Sequence, residues 1–191
     1  MNADVRLRPY RLEDAARFDA EAQVPGSFEF FGWRAENSMV RRFAADGLIG
    51  EGRGNLVVDV GGVGPVGDVG WVPVFHGPPP NNFALNIGIS LHAEHRGKGY
   101  GTQAQRLLAE HLFAYTRFER LEASTDVTNV AEQRALAKAG FTREGVLRHA
   151  QWRAGAFHDV VLYSRLPPDL RPELAPDPLL ICGRGRGRGA F

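Results

Sequence analysis

The chain has 191 residues, close to one ordinary domain and well short of two. Hydrophobic residues make up 43% and charged residues 24%, which excludes wholesale disorder and allows a core that buries about 70% of the unfolded chain's surface. With 23 Lys and Arg against 22 Asp and Glu the net charge is +1, so a whole-surface basic field for nucleic acid is excluded and any charge-based function has to be local.

Cys182 is the single cysteine, which rules out an intrachain disulfide and a cysteine metal cluster. His76, His92, His95 and His111 lack metal-ligand spacing, so no metal is expected. The opening residues are polar and no apolar run approaches the roughly 18 residues of a membrane span. No membrane partner and a cytoplasmic location are therefore expected.

In chain order, the alternation in Val5–Arg8 predicts a strand, and the apolar spacing from Leu12 to Ala22, with Glu13 and Asp14 in the first turn, predicts a helix. An aromatic cluster of Phe28, Phe30, Phe31 and Trp33 follows, then a helix over Ala35–Ala45. Asn55–Val60 and Val66–Phe75 read as a hairpin around Gly61–Pro65. Phe83–Leu91 is a strand with Phe83, Leu85, Ile87, Ile89 and Leu91 on one face and Ala84, Asn86, Gly88 and Ser90 on the other. Thr102–Thr116 is the strongest amphipathic helix. A strand over Leu121–Asp126 precedes a helix over Asn129–Ala139, with Asn129 as N-cap, Glu132 three residues on and Gly140 closing it. Phe141–Trp152 and Phe157–Leu166 form a last hairpin around Ala154-Gly155. Residues 167–191 hold five of the twelve prolines and end in alternating Gly and Arg, which reads as an extended tail following a 1–166 domain.

The chemistry gathers at His95-Arg96-Gly97-Lys98-Gly99-Tyr100-Gly101-Thr102, between the Phe83–Leu91 strand and the longest helix. A helix start offers unpaired N–H groups and partial positive charge, glycines let an anion approach the backbone, and Arg96 and Lys98 add cations. The spacing fits neither the P-loop nor the dinucleotide fingerprint, which leaves another pyrophosphate ligand or a plain turn into the helix. On the cradle reading, a bulky residue at Gly99 or Gly101 blocks the anion.

Arg96-x-x-Gly99-x-Gly101 resembles the acetyl-coenzyme A pyrophosphate motif of the GNAT acetyltransferase superfamily. Asn129 through Gly140-Phe141 is similar to that family's second motif, and the opening from Leu7 through Ala15 is similar to its common start. Within the superfamily the chain resembles the ribosomal-protein N-terminal acetyltransferases. The resemblance implies an α/β fold with a mixed, mostly antiparallel sheet, splayed near Leu91. It implies an N-acetyltransferase that moves acetyl from acetyl-CoA to a primary amine, on a peptide N-terminus or a small molecule such as an antibiotic. The backbone of Ile89, Ser90 and Leu91 would meet the pantetheine arm, Arg96, Gly97, Lys98, Gly99, Tyr100, Gly101 and Thr102 the pyrophosphate, and Asn129 the pantetheine, unless it is simply a cap.

The sequence departs from the family where a catalytic Tyr and Glu are common: those positions hold Leu136 and Asn86. Asn86 and Ser124 are left as candidates for relaying protons. Phe31, Trp33, Trp71 and Trp152 are candidates for the acceptor wall. Leu136 and Asn86 keep open a catalytically silent acyl-CoA-binding module, and the Arg-Gly tail keeps open RNA binding, although three arginines are a weak footprint and no nucleic-acid partner is expected. A homodimer is compatible with the sequence.

Overall fold

A computed structural model describes residues 4–24, 27, 29–31, 38–78 and 82–167. The Arg-Gly tail and Trp33 lie outside the described residues. The elements run β1 (Val5–Arg8), α1 (Leu12–Glu21), α2 (Met39–Asp46), β2 (Gly54–Val60), β3 (Gly64–Phe75), β4 (Phe83–Leu91), a 3-10 turn (Ala93–His95), α3 (Tyr100–Tyr115), β5 (Leu121–Asp126), α4 (Val130–Lys138), β6 (Thr142–Arg153) and β7 (Ala156–Arg165). The seven strands form one sheet in the order β1-β2-β3-β4-β5-β7-β6. Every neighbouring pair is antiparallel except β4 and β5, which are parallel. The mixed, mostly antiparallel α/β architecture expected from the sequence is what the chain adopts. No described helix is long and apolar enough to cross a membrane.

Side-chain alternation divides the sheet into two faces. Leu56, Val58, Val69, Trp71, Leu85 and Ile87 point to one face, where Ala104, Leu108 and Leu112 of α3 and Leu136 of α4 complete the main core. Val57 points to the other face and packs with Tyr10, Ala15, Met39 and Leu48 under α1 and α2. The cross-strand partners of Val57 and Gly70 on β3 are Asp68 and Asn55, so polar groups share this second face.

Two carboxylates on α1 fix the second layer. Asp14 takes both guanidinium branches of Arg8, at 2.7 and 3.0 Å, and the Arg11 amide at 2.8 Å. Burial pushes its carboxyl up, but Arg8 and the Arg11 N–H outweigh burial and hold it below the usual range. Asp19 accepts from the amides of Met39 (2.7 Å) and Val40 (3.2 Å) and from the Ser38 hydroxyl (2.6 Å). A carboxylate of α1 thus satisfies orphan donors at the start of α2. Ser38 caps that start through the Arg41 amide, and Gly47 at φ +66 closes the helix. This explains why α2 begins at Met39; residues 35–37 of the expected span lie outside the described residues.

The double cap carries a test. Asp19→Ala should cost about 1–3 kcal/mol, from lost charge-assisted bonds to two amides. Asp19→Asn should cost less, since an amide oxygen still accepts. Urea midpoints measure both; equal losses would show that Asp19 is not acting as a cap.

Candidate functional site

The site begins where two strands stop pairing. β4 and β5 are in register at Leu85–Leu121 and Asn86–Glu122, with the Leu85 amide donating to Arg120 O at 3.2 Å. No later pair joins them. Backbone groups of a strand point to alternate edges, so Ile87, Ile89 and Leu91 turn theirs toward the vacated side, as Leu85 does. The other edge of β4 stays bonded to β3 as far as Leu91. Of these groups the Asn86–Glu122 pairing uses the Ile87 amide and Arg96 takes the Leu91 carbonyl, which leaves Ile87 O, both groups of Ile89 and the Leu91 amide open to an extended ligand.

The glycine loop follows. Gly97 and Gly99 are left-handed, at φ +74 and +83, and a Cβ on either would project into open space. Gly99 is the N-cap of the 16-residue α3. The first amide to close a helical turn is Gln103, onto Gly99 O at 3.3 Å, so the amides of Tyr100, Gly101 and Thr102 precede the ladder. Positive dipole, free N–H groups and missing side chains coincide here, as an anion requires.

Two loop residues have close neighbours within the protein. Arg96 donates from Nε to Leu91 O (3.0 Å) and from Nη2 to Ser27 O (3.1 Å). Its guanidinium ties the end of β4 to the segment after α1, and both Arg96 and Lys98 are exposed. Gly101 is helical, and its Cβ would sit 3.6 Å from Ile89 Cδ1 and Leu91 Cδ1, an ordinary contact. The left-handed backbone sets Gly99 apart from helical Gly101, where a Cβ has room.

Asn129 caps α4, accepting from the Glu132 amide at 3.2 Å, while its Nδ2 donates to Thr125 Oγ1 at 3.0 Å. Both ends of its amide are engaged within the protein.

On the opposite face a cleft of about 270 Å³ lies between α1, α2 and the sheet. Gly70 and Gly88 are cross-strand partners and lie on its floor, flanked by Asn55, Asp68, Val72, Asn86 and Ser90. Phe18, Phe31, Met39 and Arg42 line it from the other elements. A Cβ at Gly88 would meet nothing within 4 Å; one at Gly70 would collide with Asn55 Nδ2 at 2.5 Å.

A family model described as "Acetyltransferase (GNAT) domain" matches residues 4–142. The chain belongs to the GNAT acetyltransferase family. GNAT acetyltransferases use acetyl-CoA as donor. Among curated relatives, "Probable N-acetyltransferase YjcK" of Bacillus subtilis (strain 168) is 36% identical over 83 residues, which is 44% of this chain and 46% of that protein. The ribosomal-protein-serine acetyltransferase of Escherichia coli (strain K12) is 31% identical over 87 residues, 46% of this chain and 49% of that protein. The chain thus spans about half the length of the curated relatives it matches. Among solved structures, Mycobacterium smegmatis RimJ in complex with CoA-disulfide superposes with a TM-score of 0.68 at 24% identity, covering 88% of this chain and 84% of that one, a likeness of fold.

In this GNAT chain the expected side chains divide. Asn86, Ile89 and Ser90 line the cleft, as does Phe31, which is 40% exposed. Ser124 is exposed on β5, two residues past Glu122, on the face that register gives to Asn86; it does not line the cleft. Trp71 borders the cleft, but its ring is buried in the main core and its Nε1 donates to the carbonyls of Gly50 (3.1 Å) and Glu51 (3.2 Å). Trp152 is exposed on the last hairpin, edge-on to Phe157 at 5.0 Å, away from the cleft lining. Leu136 is fully buried and belongs to the core.

Sequence reasoning missed Asn55, Asp68 and Arg42, which come from three elements, and the Arg153 clamp. Arg153 bonds Asp126 Oδ2, donates to His158 Nδ1 at 3.0 Å and to Glu29 O at 2.9 Å, and lies 5.4 Å from the Phe30 ring centroid. Burial pushes the Asp126 carboxyl up, but Thr128, through hydroxyl and amide, and Arg153 hold it below the usual range. The clamp joins the end of β5, the last hairpin and the aromatic segment. A buried Asp next to Thr128 and the aromatic run were visible in sequence, but their meeting was not.

Glu132, in the first turn of α4, turns its carboxyl toward Gln105 of α3, which is 1% exposed. Burial pushes Glu132 up to about 7, with the neighbouring Gln105 amide opposing. Between the ordinary Glu range and pH 7 the folded state keeps a proton that the unfolded chain has lost, so stability falls as pH rises across that window. Glu132→Gln should leave stability nearly unchanged near pH 4.5 and raise it above pH 7, by on the order of 1–3 kcal/mol. Thermal midpoints from pH 4.5 to 8 measure this; a constant offset between the two proteins would overturn the assignment.

Proposed function

We propose that this protein is an acetyl-CoA-dependent N-acetyltransferase that moves acetyl directly to a neutral primary amine, on a peptide or protein N-terminus or a small molecule. The observation that carries the reading is the conjunction of the β4–β5 fork with the left-handed Gly97–Gly99 entry to α3. An anion fits there because the loop leaves open space where side chains would project and unpaired amides beneath it. The amides from Gly97 to Thr102, with Lys98, would hold the pyrophosphate, and the remaining free groups between Ile87 and Leu91 the pantetheine. When bound, the cofactor supplies an activated thioester.

The acceptor would enter from the cleft on the Asn86 face. Its nitrogen attacks the thioester carbon, the C–N bond forms, the C–S bond breaks, and the proton leaves the nitrogen toward solvent or the departing sulfur. Leu136 has no proton to donate and Asn86 cannot take one, so no side-chain acid and base pair is assigned. Asn86 orients a water or the amine at the fork, and exposed Ser124 stands on the route to solvent. An α-amino group, titrating near 7.7–8.0, supplies more neutral nucleophile at neutral pH than a lysine near 10.4. Orientation by the fork supplies the remaining catalysis. We take residues 1–166 as the working domain, cytoplasmic, with the tail dispensable for CoA binding.

Thiol release from acetyl-CoA with a panel of amines tests the reading. Gly99→Val should weaken CoA binding about 100-fold, the equivalent of about 2.7 kcal/mol of lost backbone contacts. Gly101→Ala should stay within about twofold, since its methyl has room. Equal behaviour of the two by calorimetry would misplace the cradle. Tight CoA binding with no thiol release on any amine would assign the chain to a silent acyl-CoA-binding module instead.

Leu136→Ala should cost about 2–5 kcal/mol of stability without moving the pH profile of kcat. A shift of that profile would show a proton role at this position after all.

A further inference from the structure

The cleft holds two charges that acetyl transfer does not use. Asp68, on the floor, is 5% exposed. It accepts from Asn55 Nδ2 at 3.0 Å and is hydrogen-bonded to the buried hydroxyl of Tyr10. Burial first, and then Asp68, push the Tyr10 hydroxyl far above the ordinary phenol range, while Arg42 acts on it in the opposite sense. Asp68 and Arg42 thus act on one hydroxyl in opposite senses and line the same cleft.

The two charges differ in how far they are compensated. Asp68 has its partners in Asn55 and Tyr10. Arg42, half-buried on α2, has one hydrogen-bonding contact through its guanidinium, with Met39 Sδ at 3.6 Å. Among the described residues it makes no ion pair within 4.0 Å and no hydrogen bond to an oxygen. Thioether sulfur is a weak acceptor, and the guanidinium has five N–H donors in a rigid fork. That fork matches a carboxylate in bidentate geometry. Arg8, Arg120 and Arg153 are engaged with carboxylates, and Arg42 differs from these three in facing a cleft with its donors unspent.

We propose that the acceptor carries a carboxylate as well as an amine, and that Arg42 binds this carboxylate. The inference rests on the N-acetyltransferase reading, which brings the amine to the Asn86 end of the cleft. Asp68 lies beside Ser90, four residues along β4 from Asn86, or about 13 Å. Its negative charge turns an incoming carboxylate away from that part of the floor and toward Arg42. Phe18, Phe31 and Met39 supply apolar wall between the charges. An amino acid, or a peptide N-terminus followed by an acidic residue, has this chemistry; a polyamine does not.

Matched acceptors test the proposal. Ser-Asp amide and Ser-Asn amide share an α-amine and differ in one carboxylate; glycylglycine and glycylglycinamide move the carboxylate to the C-terminus. In the wild-type enzyme, kcat/KM should favour the carboxylate member of at least one pair by about tenfold. Arg42→Gln should bring that ratio within about twofold of unity, and Arg42→Lys should leave an intermediate ratio because the charge stays and the fork goes. The ratio does not depend on the fraction of enzyme that is folded. Turnover of all four without a carboxylate preference, or a ratio untouched by Arg42→Gln, overturns this proposal and leaves the N-acetyltransferase reading standing. If no amine is turned over, that reading fails instead, and calorimetric binding of the same pairs decides for Arg42: preferential binding lost in Arg42→Gln supports it, equal binding overturns it.

Discussion

Beyond Asn86 and Glu122 the parallel strands β4 and β5 no longer hydrogen-bond, and the rest of the molecule is arranged around that parting. A continuous sheet would spend the edge of Ile87 to Leu91 on its neighbour. Here most of that edge is left over, and several contacts keep its surroundings in place. α3 seats Gly101 against Ile89 and Leu91. Arg96 holds the Leu91 carbonyl. Asn129 fastens α4 to Thr125 of β5, and Arg153 fastens the last hairpin to Asp126. Each contact anchors one side of the opening, so its shape is set by the fold in advance.

The buried charges follow one rule with one departure. Glu122 is 3% exposed and receives His76 at 2.7 Å and Arg120 at 2.6 Å. Arg120 passes on to Glu144, which also accepts the Ser164 hydroxyl at 2.5 Å. Asp126 has Thr128 and Arg153. His92, also buried, bonds Glu21 of α1. These groups settle their desolvation inside the protein, which fixes geometry more than it adds stability. Glu132 is the departure on the helical side, a carboxyl held by burial close to neutrality of pH.

Local signals carried most of the fold. The bounds of β1, β4 and β5 follow directly from alternation, and Asn129 and Gly140 punctuate α4 as their chemistry requires. α2 was harder because half of its N-terminal cap comes from Asp19, on another helix. Trp71 was within reach: period two puts it opposite Asp68 and Gly70, with the core-facing set. A lone acid in the apolar run Val66–Val74 also pointed to Asp68. Arg42 had no such signal, since an arginine on an amphipathic helix reads as solvated surface until the sheet beneath it is known. The commitment of Arg96 to Ser27 bridges distant segments and has no local trace.

The paired glycines of the cleft floor separate two kinds of constraint at adjacent positions. Gly70 is held by its neighbour, because any side chain would strike Asn55. Gly88 is held by nothing in the protein itself, since the space above it is open. One residue of this floor answers to folding and the other to whatever occupies the cleft. Side-chain bulk can therefore be added at Gly88 at the expense of the open space alone, with the sheet beneath left undisturbed.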